Sequence, residues 1–349
     1  MPGSLQLLNR VSADVRQYIL LACTKEGEGV VVFKVVITDY EFTELDYEEQ
    51  VFADSGLDIH FVKAQCRTEQ EVIEAAKDAD AIINQYAPLN AAVLNELENC
   101  KVISRYGVGV DTIDLDVAKQ KGIAVCNVPD YGIEEVSNHA LALLMAWSRK
   151  IVELNNAVKS GVWDFRISPP VYRFKERLFA VIGFGKIPRR VIEKVQPLGF
   201  TLVGYDPFVS AEEMAKYNVK KVDLDEALKK SDFISLHVPL IKETRHLINR
   251  ENINDLKDGV FILNTARGPI VETEALIEGL RSGKIAGAAL DVVEHEPILK
   301  GHELLEFPNV YITPHSAFYS VEAVEELRTK TAKNVVEVLQ GLVPSYQIV

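Results

Sequence analysis

The stretch Val181-Ile-Gly-Phe-Gly-Lys-Ile-Pro-Arg-Arg190 (VIGFGKIPRR) decides how the rest of the chain is read. An apolar run enters a G-x-G turn, and a segment with helical spacing follows. Such a turn gains meaning from a strand before it, a helix after it and an acid about 20 residues further on. FAVI precedes it, RRVIEKVQPLG follows, and Asp206 stands at the end of the next strand-like run. In that arrangement Gly183 makes the tight turn and Gly185 lets backbone approach a phosphate. Lys186 and Ile187 then open a helix whose free N–H groups face the anion. The third glycine of the pattern is replaced by Pro188. That glycine serves close packing of helix on strand, and proline is tolerated in a first helical turn, where N–H groups lack intrahelical partners. Asp206 is placed to accept bonds from a ribose. Pro207 and Phe208 follow it with no cation to hold a 2′-phosphate, so NAD is expected over NADP. On its own the stretch also fits a strand–turn–helix without a ligand.

Working outward, short apolar runs alternate with amphipathic ones on both sides. Before it lie strand-like segments at 32–39, 59–64, 81–86, 101–107 and 124–128, and after it others at 201–207, 233–239, 261–267, 286–292 and 309–314. Strands alternating with helices imply parallel βαβ units with both sheet faces covered. A longer helix is expected at 134–150, with acids at its start and Arg149 and Lys150 at its end, as the helix dipole favours. Its ALALLMAW face is too apolar for solvent, and His139 within it reads as structural. A final helix is expected at 321–341. The second set of strands is bracketed by the first set and this helix, so one lobe is inserted in the other. The expected fold is α/β in two lobes, a Rossmann-type doubly wound parallel sheet inserted into a flavodoxin-like substrate-binding domain. The boundaries are an N-terminal extension at 1–31, a substrate-binding domain at 32–130 plus 318–349, and a nucleotide-binding domain at 131–317.

Hydrophobic residues make up 48% and charged residues 26%, enough to build a core in each lobe. The net charge of −13 argues against nucleic acid as a partner. No apolar run reaches the roughly 20 residues of a membrane span, and YILLAC at 18–23 lacks the apolar region of a secretory signal. Cys23, Cys66, Cys100 and Cys126 are widely spaced and form no metal-type cluster, so reduced thiols and a cytoplasmic setting are expected, with no metal.

NTARG (264–268), ALDVVEHEP (289–297) and YITPHSAFYS (311–320) each put a chemically strong residue at a strand end of the second sheet. In open α/β sheets that edge binds ligands. Arg267 offers a planar charged fork for a carboxylate, His315 can exchange a proton, and Glu296 can bond the other imidazole nitrogen. In this order, with SLHVPL and Thr244 between, the motifs resemble the D-isomer-specific 2-hydroxyacid dehydrogenase family over roughly 33–341. The resemblance implies hydride transfer between NAD(H) and a small 2-hydroxy or 2-keto acid. Arg267 would bind the substrate carboxylate, and His315 would be the acid/base with Glu296 as its partner. His237, Val238, Pro239, Thr244, Thr265, Ala266 and Asp291 would line the cofactor site. A homodimer is also implied, with the 134–150 helix as its seam.

Within the family, IAVCNVPDYGIEE and TPHSAFYS are similar to the branch containing the C-terminal-binding-protein corepressors. Arg105 there matches a second substrate-contacting arginine, and otherwise reads as an interlobe ion-pair residue. Tyr86, Ala87, Val108 and Gly109 would complete the substrate loop, with Phe318 where that branch has Trp. Glu176 and Ala180 replace the usual glycines leading into the nucleotide strand, so that loop is expected to be rebuilt. Glu294 is a decoy for Glu296, while His246, His295 and His302 read as surface residues. A second reading of the whole chain is an NAD(H)-sensing, corepressor-like binding module.

Overall fold

The structure is a computed structural model and describes residues 31–349. The extension at 1–31 (save Val31), with Cys23 and the YILLAC stretch, lies outside the described residues. The first sheet contains β1 (Val32–Ile37), β2 (Asp58–Lys63), β3 (Ala81–Asn84), β4 (Val102–Arg105) and β5 (Ala124–Cys126). They run parallel in the order β2-β1-β3-β4-β5. The helices between are α1 (Asp46–Asp54), α2 (Glu69–Ala76), α3 (Ala91–Glu96) and α4 (Leu115–Gln120). Their starts are written in the sequence. Thr68 and Glu71 form a reciprocal capping box on α2, and the side chains of Asn90 and Asp114 cap α3 and α4.

The second sheet contains β6 (Leu178–Ile182), β7 (Thr201–Tyr205), β8 (Lys220–Lys221), β9 (Phe233–Leu236), β10 (Val260–Asn264), β11 (Ile285–Leu290) and β12 (Val310–Ile312). Its order is β12-β11-β10-β9-β6-β7-β8, all parallel. The two orders are those of the flavodoxin-like and Rossmann arrangements, so the two-lobed α/β fold expected from the sequence is present. Every residue of β3, β4, β9 and β10 is buried, as strands covered on both faces require.

Two helices join the lobes, α5 (Ile133–Ser148) and α6 (Ile151–Lys159). The apolar face of α5 (Ala140, Leu143, Leu144 and Trp147) enters the core beside Phe179 and Phe261, and Trp147 stacks on Phe261 with ring centroids 4.2 Å apart. That face is therefore buried within the chain, while Leu141, Ala142, Met145 and Ala146 of the same helix stay partly or fully exposed. Exposed apolar side chains also follow it, with Trp163 88% and Phe165 79% accessible and Ile151, Ile167 and Tyr172 exposed nearby.

The rebuilt loop expected before β6 is anchored by an aromatic. Phe174 stacks on Phe200 at 4.5 Å, and the Arg177 guanidinium reaches Asp232 at 2.9 Å. The second lobe continues through α7 (Lys186–Val195), α8 (Ala211–Ala215), α9 (Leu224–Lys230) and α10 (Thr273–Ser282). The last helix, α11 (Val321–Leu339), is capped by Ser320 and returns to the first sheet. There Leu327, Val335 and Val336 pack among Ile37, Ile83 and Val102. Arg328 of α11 meets the fully buried Glu48 of α1, donating from Nη2 to Oε2 at 2.7 Å and from Nε to Oε1 at 3.0 Å, while Tyr106 Oη donates to Oε1 at 2.6 Å. The tail then lies antiparallel along β5. Ile348 N–H donates to Val125 O at 2.7 Å, and Cys126 bridges Gln347.

Candidate functional site

Loops beyond strand ends of both sheets open toward one cleft. At the end of β6, Gly183 has φ +93°, and a Cβ there would stand 2.7 Å from His237 O. Only glycine makes this turn. Gly185 is the N-cap of α7, and nothing lies within 4 Å of where its Cβ would be. Pro188 is the third residue of α7 and is buried, with Arg189 the first N–H to bond back to Gly185 O, at 3.3 Å. The missing donor thus falls in the turn that has no helical acceptors. Asp206 braces the glycine turn: its Oδ2 accepts from Phe184 N at 2.9 Å and its Oδ1 from Phe208 N at 2.8 Å. Lys186 and Pro207 sit exposed at the mouth.

A cleft of about 670 Å³ separates the lobes. From the second lobe, β9 delivers His237, Val238 and Pro239, β10 delivers Thr265, Ala266 and Arg267, and Asp291 and His315 follow β11 and β12; Ile187 of α7 also lines it. Burial pushes the His237 pKa down to about 3, so this imidazole is neutral, with Nε2 2.6 Å from Ser235 Oγ. Thr265 Oγ1 is buried without a hydrogen-bond partner. A hydroxyl left so costs free energy unless a ligand completes it. That orphan and the open space beyond Gly185 both fit a bound dinucleotide. Thr244 does not line the cleft. Its hydroxyl closes its own turn, donating to Pro239 O and accepting from Ile241 N.

His315 and Glu296 come together, with Nδ1 2.7 Å from Oε2, and Glu296 Oε1 also accepts from Val293 N at 3.1 Å. This pairing leaves Nε2 of His315 for the cleft. His315 has φ +51°, an unusual backbone for a residue with a Cβ. Asp291 holds it there. The Asp291 side chain is buried, and its Oδ1 accepts from Thr313 Oγ1 at 2.6 Å and Ser316 N at 2.9 Å, its Oδ2 from Ala317 N at 2.9 Å. His139 of α5 reaches Thr313 Oγ1 at 2.9 Å, as a structural histidine would. The decoy Glu294 has its own work: Oε2 accepts from Thr273 N at the start of α10, and Oε1 lies 2.6 Å from His246 Nε2. His302 Nδ1 likewise accepts from Leu304 N at 3.2 Å.

Arg267 donates from Nε to Asp111 Oδ1 at 3.0 Å and from Nη1 to Ala266 O at 2.8 Å. Nη2 lies against Gly109, where a Cβ would come within 1.8 Å of it. Burial works to raise the Asp111 pKa, but the charge and hydrogen bond of Arg267 outweigh it, and the net shift is downward. Arg105 is 8% exposed and has no carboxylate within ion-pairing distance among the described residues. Its Nε donates to Gln85 O at 3.3 Å, and its guanidinium stands 5.9 Å from the Tyr86 ring centre. Burial, and then the like charge of Arg267, push its pKa down. The interlobe ion pair is thus made by Asp111, not Arg105. Val108 and Phe318 also line the cleft. Tyr86 stands 6.0 Å from the His315 ring, but Tyr86 N and Ala87 N both donate to buried Asp39, at 2.6 and 3.1 Å. Those two N–H groups are therefore committed within the protein. Asp111 and Asp39 were not singled out in the sequence, where each is an ordinary acid at a strand or loop end.

This pairing of a dinucleotide cradle with an Arg and a Glu–His pair across an interlobe cleft defines an NAD-binding oxidoreductase class. Residues 141–317 match the family described as D-isomer specific 2-hydroxyacid dehydrogenase, NAD binding domain. The glyoxylate reductase of Thermofilum pendens is 36% identical over 291 residues, covering 82% of this chain and 86% of that one. The D-3-phosphoglycerate dehydrogenase of Archaeoglobus fulgidus is 37% identical over 288 residues, covering 82% of this chain. The chain spans about half of that relative's length, 54%. Among solved structures, the Aquifex aeolicus D-lactate dehydrogenase complexed with NAD and lactic acid superposes with a TM-score of 0.78 at 33% identity, covering 88% of this chain and 96% of that one. The chain belongs to the D-isomer-specific 2-hydroxyacid dehydrogenases, and its cofactor is NAD(H). No helix among the described residues is long and apolar enough to cross a membrane.

Proposed function

We propose that the chain is an NAD-dependent dehydrogenase interconverting a D-2-hydroxy acid and its 2-keto acid, with 131–317 as the cofactor domain and 32–130 plus 318–349 as the substrate domain. One observation carries the reading: Glu296 engages His315 at Nδ1, 2.7 Å away, and leaves the other ring nitrogen to the cleft that Arg267 also lines. The nicotinamide, when bound, supplies or accepts the hydride. The residues for it are Gly183, Gly185, Lys186, Ile187, Asp206 and Pro207 at the cradle, with His237, Val238, Pro239, Thr265, Ala266 and Asp291 on the ring side. Arg267 binds the substrate carboxylate and polarises its carbonyl. His315 Nε2 donates a proton to the carbonyl oxygen in reduction and takes it from the hydroxyl in oxidation, with Glu296 fixing the ring. Arg105 faces the same space as a second cation.

The test is NADH consumption with a panel of 2-keto acids. His315→Ala is expected to lower kcat by about 10²- to 10⁴-fold while NADH still binds; comparable turnover removes His315 from the chemistry. Arg267→Ala is expected to raise KM and lower kcat together, and an unchanged kcat/KM counts against its role. A homodimer is part of this reading, its contact surface being the exposed apolar run at 151–172. Charge there, as Trp163→Glu with Phe165→Glu, is expected to yield monomers by light scattering; an unaltered mass rejects that surface. Cys66 and Cys126 are buried free thiols, which supports a reducing, cytoplasmic setting.

A further inference from the structure

Gly132, Glu135 and His139, at the start of α5, follow one another at intervals of three and four and so share one side of the helix. All three meet the 313–320 segment, which carries His315. Gly132 is the N-cap and lies under Phe318, whose Cβ is 3.7 Å from where a Cβ on the glycine would stand. Glu135 Oε1 accepts from Ser320 Oγ at 3.0 Å, and His139 Nε2 lies 2.9 Å from Thr313 Oγ1. α5 thus grips both ends of that segment. The protons along the His139 path can be placed. Asp291 accepts on both carboxylate oxygens, and its 2.6 Å contact with Thr313 Oγ1 takes the single hydroxyl proton of the threonine. Without that proton, lone pairs would face each other at the same distance. Thr313 Oγ1 has only lone pairs left for His139, so Nε2 of His139 carries a proton and donates it. No arginine or lysine stands within ion-pairing distance of Asp291 among the described residues; the one basic group there is the same Nε2, 3.5 Å from Oδ1. Asp291 therefore depends on the hydroxyl and on the two backbone N–H groups. Donation into the hydroxyl oxygen strengthens its bond to the carboxylate, and that carboxylate holds the turn where His315 has φ +51°.

We propose that His139 is a positioning residue for the acid/base histidine: its Nε2–H, given to Thr313 Oγ1, orders the Thr313–Asp291 bond and so fixes the turn that presents His315 to the cleft. His139 touches neither substrate nor cofactor in this role and acts through Thr313 alone. The proposal rests on the dehydrogenase reading above for what His315 does, and goes beyond it in tracing what holds that imidazole back to the helix that joins the lobes.

The test uses reach. The amide nitrogen of glutamine stands as many bonds from Cα as the imidazole Nε2, whereas that of asparagine falls one bond short. His139→Leu and His139→Asn are each expected to lower kcat by about tenfold, with KM for NADH unchanged, and His139→Gln to return kcat to within about threefold of the wild type. Amide hydrogen exchange at 316 and 317 is expected to follow the same order, faster in the leucine and asparagine variants and protected in the glutamine one. Thr313→Val cuts the path at its other end, so adding His139→Leu to it is expected to change kcat by less than about twofold. Glutamine no better than asparagine, or losses at 139 and 313 that simply multiply, overturns the proposal, since packing alone would give either result. If the wild type reduces no 2-keto acid yet exchange follows the stated order, His139 keeps its hold on the turn and the dehydrogenase reading falls. Should His139→Leu not fold, the asparagine variant takes its place in every comparison and is read by the same outcomes.

Discussion

Asp291→Asn changes a single atom in outline, yet it is expected to loosen the turn that carries His315. The native carboxylate accepts three bonds, from Thr313 Oγ1 and Ser316 N on Oδ1 and from Ala317 N on Oδ2. An amide has one acceptor oxygen. If its NH₂ takes the Oδ2 place it confronts the Ala317 N–H; if it takes the Oδ1 place it confronts Ser316 and Thr313. Either way at least one buried donor is stranded, at about 1–3 kcal/mol, and the remaining bonds lose their charge assistance, at about 0.5–1.5 kcal/mol. The sum is about 1.5–4.5 kcal/mol, concentrated where His315 is held at φ +51°. Urea unfolding reads the global share. Hydrogen exchange at amides 316 and 317 reads the local share, and kcat at saturating NADH reads the misplacement of the imidazole, expected to be a loss of about tenfold or more. Unchanged protection at both amides together with unchanged kcat would refute the reasoning.

Two further predictions concern stability. Arg328→Met strands the buried Glu48 carboxylate and is expected to cost about 3–5 kcal/mol in urea unfolding. Adding Glu48→Gln should recover part of that, whereas strictly additive losses would show that the two do not act as a pair. His237 is held neutral by burial, its pKa about 3 against an ordinary 6.5. As pH falls below about 6.5 the unfolded chain takes up this proton and the folded chain does not, so the contribution is whole above that pH and is lost progressively toward pH 3. His237→Asn is therefore expected to flatten the fall of unfolding free energy between pH 6.5 and 4, and an identical slope in both proteins would count against it.

The strand pattern and the strand-end residues could be read from the sequence because each is local. A β-strand buried on both faces writes a short apolar run, and Gly183 writes a turn that no other residue makes. Arg267, His315 and Glu296 were legible for the same reason, standing just past such runs. What escaped was pairing across the chain. Asp111 reaches Arg267 over a separation of 156 positions, and nothing nearby marks it. Asp39 and Asp291 serve as matching staples at the ends of β1 and β11, a role set by which loop N–H groups fold back onto them. The bonds that the Thr244 hydroxyl makes within its own turn, to Pro239 O and Ile241 N, are likewise unmarked in the sequence. The apolar face of the 134–150 helix was legible, but not what it meets within the chain, where Trp147 stacks on Phe261 and donates to Asn309 O at 3.0 Å.

The tail along β5 has a consequence for handling the protein. An outermost strand with free backbone groups invites another chain to zip onto it, and residues 346–349 fill that position from within. Ile348 simultaneously forms part of the cleft wall. Disrupting these four residues would therefore both open a sticky border prone to aggregation and breach the lining of the chamber.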